Sequence, residues 1–148
     1  MIRPKVLFLC TANRCRTQMA EALLRDLAGD RFDVSSAGYE EAPEICPDAI
    51  AVMRELGIDI SGQHPKKAEQ FLGERFSYVI TLCNREIEPS CPIFPGAIWR
   101  LKWPLENPAI VQNDSERRAA TRRVRDEIQR YVVDFVKENG LEGNTKWN

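Results

Sequence analysis

At 148 residues the chain has the length of one domain, which most often spans roughly 100–150 residues. Its 43% hydrophobic content against 29% charged residues excludes disorder and a coiled coil. Lys and Arg number 21 against 22 Asp and Glu, a formal net charge of −1, so no global basic field recruits nucleic acid or an anionic membrane. The apolar run at 6–10 is too short for a secretory segment or a membrane span. The expectation is a soluble cytoplasmic monomer, with one domain over 1–140 and a frayed tail over 141–148.

The five cysteines, Cys10, Cys15, Cys46, Cys83 and Cys91, are odd in number and follow no export signal. A static disulfide framework is therefore not expected. Each is a buried small hydrophobe, a metal ligand, or a nucleophilic or redox group.

In chain order, the continuous apolar run at 5–9 predicts a strand covered on both faces. A helix over 17–28 follows, with Met19, Ala20, Leu23, Leu24 and Leu27 at helical spacing and Gly29 as its stop. A second strand is expected over 32–36, and a helix over 48–56 begins beside Pro47 and ends at Gly57. A shorter helix is expected near 66–72. Residues 76–83 carry the strongest strand signal, rich in β-branched and aromatic residues. A weaker strand over 97–101 precedes a long helix over 115–138, whose stripe is Ala120, Val124, Ile128, Tyr131, Val132 and Phe135. Alternating strands and helices predict an α/β fold: a four-stranded parallel sheet in a three-layer arrangement with helices on both faces. Such sheets bind ligands beyond the C-terminal ends of their strands, which is where the first strand delivers Cys10.

Residues 10–17 read Cys10-Thr11-Ala12-Asn13-Arg14-Cys15-Arg16-Thr17 between that strand and the first helix. A loop entering a helix aims several unpaired N–H groups at one point, with the helix dipole behind them. Thr11, Ala12, Asn13, Arg14, Cys15, Arg16 and Thr17 are thus the candidate oxyanion cradle, with Arg16 as a bidentate clamp. Cys10, at the mouth, feels the same field, which favours its thiolate and suits it as nucleophile. Thr17 can donate a hydrogen bond to that thiolate. In isolation, C-x5-R reads more simply as a buried strand-end cysteine and a solvated arginine. Its place at a strand-to-helix junction favours the oxyanion reading.

This loop, the run Thr17-Gln18-Met19-Ala20-Glu21-Ala22 and the turn Ser35-Ser36-Ala37-Gly38 resemble the low-molecular-weight protein tyrosine phosphatase superfamily. Within it, Gly57-Ile58-Asp59-Ile60-Ser61, Val79-Ile80-Thr81-Leu82-Cys83 with Cys91-Pro92, and Val124-Arg125-Asp126-Glu127-Ile128 are similar to the thioredoxin-coupled arsenate reductases. The resemblance runs over nearly the whole chain and implies that superfamily's fold. It implies Cys10, Arg16, Cys83 and Cys91 as catalytic residues, arsenate or phosphate as oxyanion and thioredoxin as reductant. In the implied sequence Cys10 forms an adduct with arsenate. Cys83 then attacks Cys10 and releases arsenite, and Cys91 attacks Cys83 to leave a Cys83–Cys91 disulfide for thioredoxin.

A phosphatase needs only the nucleophile, whereas a reductase passing two electrons uses the further thiols. The alternatives are a hydrolase of aryl phosphates and a non-catalytic oxyanion-binding or redox-sensing module. No cofactor is expected. Metal is also not expected, because C-x4-C and C-x7-C are not usual zinc spacings and His64 is the single histidine. Cys15 and Cys46 read as structural.

Three departures from the superfamily matter. Where its members carry Asp-Pro, with Asp as general acid, this chain has Asn107-Pro108, and an amide supplies no acidic proton. Neighbouring Glu106 is not expected to substitute. Ala12 replaces a frequent glycine, which is harmless unless that position needs a positive φ. Some reductases bind potassium through positions matching Asn13, Glu21 and Ser36. Here Lys66 falls at or near the position of a carboxylate ligand, where its ammonium can take the cation's place, and potassium is not expected. The arginines at 117, 118, 122, 123, 125 and 130 read as a solvated face, ion-paired with Glu116, Asp126 and Glu127, with Asp126 and Arg130 at i,i+4. Trp99, Trp103 and Trp147 read as core or loop anchors.

Overall fold

The computed structural model describes residues 2–84 and 92–140. Four strands, β1 (Lys5–Cys10), β2 (Asp33–Gly38), β3 (Phe76–Thr81) and β4 (Ala97–Lys102), form one sheet in the order β2-β1-β3-β4. All three pairings are parallel, with Leu7 opposite Ser35 and Val79. The order reverses between β1 and β3, so the crevice at their C-terminal ends is the switch point where such sheets bind ligands. Cys10 closes β1, and Cys83 follows β3 by two residues. Leu82 N–H still donates to the Leu9 carbonyl at 2.8 Å, so the β1–β3 ladder runs to the edge of the crevice.

The helices α1 (Arg16–Ala28), α2 (Pro47–Arg54) and α3 (Asp114–Glu138) share one core with the Val6 and Phe8 face of β1. The stripe expected for the last helix is seen there: Ala120, Val124, Ile128, Val132 and Phe135 are buried, and Tyr131 packs against them. Burying Val124, Ile128, Val132 and Phe135 contributes roughly 1.5–3 kcal/mol each. The other face, Leu7, Leu9 and Val79, is covered by Ala68 and Phe71 of a single 3₁₀ turn, Ala68–Phe71, and by Phe94 of the chain before β4. The expected parallel α/β sheet is therefore present, with one helical layer of three helices and one of a single turn.

That turn is shorter than the helix expected over 66–72. Before it the chain runs extended across the end of β2, where Gly38 N–H donates to the Lys66 carbonyl at 2.8 Å. After it, Gly73 adopts φ +93°. The β-branched run at 76–83 leaves the strand at Thr81, and Trp103 N–H then donates to the Thr81 carbonyl.

Two surface expectations need correction. The α3 arginines do not chiefly pair along their own helix. Arg117 and Arg118 both bind Asp48, and Arg122 and Arg125 both bind Glu55, so they fasten α3 to α2. Asp126 pairs with Arg125 rather than Arg130, and Arg125 is buried while donating to the Val52 carbonyl. The sequence pattern shows spacing within a helix but not which helix packs beside it. Of the tryptophans, Trp103 is a core anchor stacked on Tyr131 with ring centroids 5.0 Å apart. Trp99 is exposed on the edge strand β4, and Trp147 lies outside the described residues. Among the described residues no helix is long and apolar enough to cross a membrane.

Candidate functional site

The 10–17 loop wraps the Cys10 sulfur. Asn13 N–H points at Cys10 Sγ from 3.3 Å, and the Thr17 hydroxyl lies 3.2 Å away. The loop turns at Asn13, whose φ of 54° is the single positive non-glycine φ among the described residues. Ala12 is therefore not in the left-handed region and its departure from glycine is harmless. Asparagine tolerates that region because its short amide bonds locally. Asn13 Nδ2 donates to Thr17 Oγ1 at 2.7 Å and Ser36 Oγ at 3.0 Å, while its Oδ1 accepts from Lys66 N–H at 2.8 Å and Gln18 Nε2 at 3.0 Å. Gly38 lets the loop cross the end of β2: a Cβ there would stand 2.6 Å from Ala12 C and 2.7 Å from Asn13 N.

Ser36 Oγ donates in turn to Glu21 Oε1 at 2.5 Å. The buried Glu21 carboxylate meets Arg25 at 2.8 Å and the Lys66 ammonium at 3.6 Å. The residues here do not fit a potassium ion, because the Lys66 ammonium already faces the carboxylate that would ligate it.

Cys15 is the N-cap of α1, and Arg16 opens that helix. The Arg16 guanidinium is buried, donates to the Leu105 carbonyl at 3.2 Å, and lines a cavity of about 200 Å³ with Cys10, Thr11, Arg14 and Asn107. Asn107 thus stands at the mouth, where its Oδ1 accepts from Ala109 N–H at 3.1 Å and caps the short turn Pro108–Ile110. Glu106 faces Arg123 of α3 at 3.8 Å. The buried Cys83 thiol lies 3.7 Å from Thr11 Oγ1. The structure therefore brings Cys10, Arg16 and Asn107 to one cavity and sets the Cys83 thiol against Thr11, another residue of its lining; Cys91 lies outside the described residues. Cys10, Cys15, Cys46 and Cys83 are free thiols.

Sequence reasoning passed over Gln18, which is fully buried and ties the loop to the chain at 63–64. Its signal was a polar residue on the inner face of α1. It also passed over Asp48, whose carboxyl the Arg118 and Arg117 guanidiniums hold below the usual range against the opposing effect of burial. Cys46, read as structural, borders a cavity together with Cys15, and its N–H donates to the Arg14 carbonyl at 3.0 Å.

Comparison with known proteins agrees with this geometry. The pattern of the low molecular weight phosphotyrosine protein phosphatase family matches residues 5–142. The arsenate reductase of Halalkalibacterium halodurans is 40% identical over 138 residues, covering 93% of this chain and 98% of that protein. A solved arsenate reductase in its phosphate-binding state superposes with a TM-score of 0.76 at 33% identity, over 91% of this chain and 98% of that one. The thioredoxin-dependent arsenate reductase of Corynebacterium glutamicum does so with a TM-score of 0.67 at 31% identity, over 93% of this chain and 63% of that one. A family pattern that spans the sheet, the Cys10 loop and α3 leaves one assignment: the chain belongs to the low molecular weight phosphotyrosine protein phosphatase family.

Proposed function

We propose that the protein is an arsenate reductase in which Cys10 is the nucleophile, residues 11–17 hold the oxyanion, and Cys83 and Cys91 carry electrons from thioredoxin. The observation that carries this reading is the second thiol at the loop: Cys83 Sγ lies 3.7 Å from Thr11, the residue after the nucleophile. The relatives named arsenate reductase support it, as does Asn107, which weakens the hydrolytic alternative by removing the acid that a phenolate leaving group requires. Arsenate carries its own proton and tolerates the loss. The reading makes the protein a cytoplasmic monomer, acting where thioredoxin keeps thiols reduced.

Oxyanion binding falls to the loop N–H groups and the Arg16 guanidinium. The Cys10 thiolate, facing the Thr17 hydroxyl and Asn13 N–H, forms a bond to arsenic as one arsenate oxygen leaves as water with the substrate's protons. Cys83 thiolate then attacks Cys10 Sγ. The S–As bond breaks and its electron pair stays on arsenic, which leaves as trivalent arsenite; a Cys10–Cys83 disulfide remains. Cys91 attacks Cys83 and returns Cys10 as thiolate, and the thioredoxin dithiol reduces the Cys83–Cys91 bond by exchange.

The test is arsenate-dependent NADPH oxidation coupled through thioredoxin and thioredoxin reductase, in wild type and in Cys83→Ser and Cys91→Ser. Steady turnover in wild type and its loss in both variants is the expected result. Turnover that persists in Cys91→Ser removes the relay. Aryl phosphate hydrolysis that survives the same variant, without arsenate turnover, selects the hydrolase.

A further inference from the structure

The mechanism above leaves Cys15 and Cys46 unused, although the two lie side by side at one cavity. Cys46 N–H donates to the Arg14 carbonyl at 3.0 Å, which fixes residue 46 beside the loop at residue 15. Each is also a helix N-cap, Cys15 of α1 and Cys46 of α2, so two helix N-termini converge on two sulfurs. Beside them opens a cavity of about 370 Å³, bordered by Arg14, Asp48, Arg117 and Arg118.

We propose that Cys15 and Cys46 are a second redox site, distinct from Cys10, which hydroperoxides close into a disulfide, with Cys46 as the attacking and Cys15 as the resolving thiol. The asymmetry between the two sulfurs sets the roles. Cys46 lies beside the Cys15 thiol and near the Arg14 and Arg117 guanidiniums. These hold its thiol down to about 7, while burial and the Asp48 carboxylate oppose them. Cys15 keeps its proton, pushed up by neighbouring Cys46 and by burial. A thiolate open to a polar cavity, with a second thiol beside it, is the arrangement found in peroxide-sensing cysteines.

In the first step the Cys46 thiolate attacks the terminal peroxide oxygen. The S–O bond forms as the O–O bond breaks. Cys46 becomes sulfenic acid, oxidised by two electrons, and the peroxide is reduced to water or an alcohol. In the second step the Cys15 sulfur attacks the Cys46 sulfur. The S–S bond forms, and the hydroxyl leaves with the Cys15 proton as water. A dithiol reductant reverses the bond. The product ties the loop to the start of α2 and leaves Cys10 reduced.

The experiment treats full-length reduced protein with hydrogen peroxide, alkylates free thiols, and maps tryptic peptides by mass spectrometry. Cleavage after Arg14 and Arg16 separates Cys15 from Cys10. The expected product joins Cys15 to the Cys46 peptide with the loss of two hydrogens, and dithiothreitol removes it. In Cys15→Ser the Cys46 sulfenic acid accumulates and is trapped by a cyclic 1,3-dione. In Cys46→Ser no such trapping occurs at Cys15. Alkylated Cys15 and Cys46 beside oxidised Cys10, Cys83 or Cys91 overturn the proposal, and so does a Cys10–Cys15 bond in place of the expected one.

Discussion

On its inner flank the 10–17 loop meets a closed network, and on its outer flank it meets open space. Inside, Asn13, Gln18 and Ser36 are each 0% exposed, and every amide atom of Asn13 has a partner. Outside, cavities of about 200 and 370 Å³ flank Arg14 and Cys15, bordered by solvent-facing groups such as Arg118, 45% exposed. The difference divides labour: the closed flank fixes where the loop N–H groups point, and the open flank decides what reacts there. Substitutions inside should therefore slow every reaction of the loop alike, while those outside should favour one reaction over another.

The sharpest break is Asn13→Ala. It removes the amide that orients Thr17, Ser36 and the chain at Lys66, and it forces alanine into φ 54°. Misplacing a catalytic group by ~1 Å costs about 10²-fold. Arsenate reduction and aryl phosphate hydrolysis should both fall by about that factor in kcat, read by steady-state kinetics. A loss confined to one substrate would end the division drawn above.

Asn107→Asp probes the outer flank. It places a carboxylic acid at the mouth of the crevice, where general acids contribute about 10²–10⁴-fold. Phosphotyrosine hydrolysis should rise by about 10²-fold, at the lower end of that range because the side chain is held by Ala109 N–H, and arsenate turnover should stay as it was. A parallel rise in both shows that the proton on arsenate does not replace the acid.

These two sites also show what sequence could and could not supply. The strand-to-helix junction at Cys10, the apolar stripe of α3 and the Asn107 departure were legible, because each lies in contiguous residues or a fixed period. Asp48 with Arg117 and Arg118, Glu55 with Arg122 and Arg125, and Cys15 with Cys46 were not. Each joins residues far apart in the chain whose meeting depends on how α2, α3 and the loop pack. Lys66 lay between these cases. Its likeness to a family position suggested an ammonium near Glu21, but only the packed chain gives the distance of 3.6 Å.

Lys66 supports the inner flank at smaller scale. Replacing it with Met leaves the buried Glu21 with Arg25 as its one cationic partner beside the Ser36 hydroxyl, and the lost charged contact costs about 1–3 kcal/mol of stability. Denaturant titration reads it. Lys66→Asp exchanges the ammonium for a second carboxylate, so its melting temperature should rise with potassium chloride more than with equimolar sodium chloride. The wild type should respond equally to both salts. A potassium-specific rise in the wild type would show that the ammonium does not fill the place of a cation.

The smallest effect lies farthest from the loop. Glu55, hydrogen-bonded by Arg122 and Arg125, has its carboxyl lowered from an ordinary 4.5 to about 2, against a modest opposing effect of burial. A carboxyl lowered in the folded state contributes stability above its unfolded value and loses it as pH falls toward the folded value. The window is therefore about 4.5 down to about 2. Glu55 is 41% exposed, so solvent screening limits the contribution to about 0.2–1 kcal/mol. Glu55→Gln should lower stability by that amount at neutral pH, measured by urea unfolding, and its curve should converge with the wild type's at the acid end of the window. Because α2 also carries Cys46 and Asp48 at its start, loosening its far end against α3 tests whether the open flank depends on the helix clamp. Arsenate turnover unchanged in Glu55→Gln would place that dependence in Asp48 alone, whose two arginines reach α2 at the loop itself.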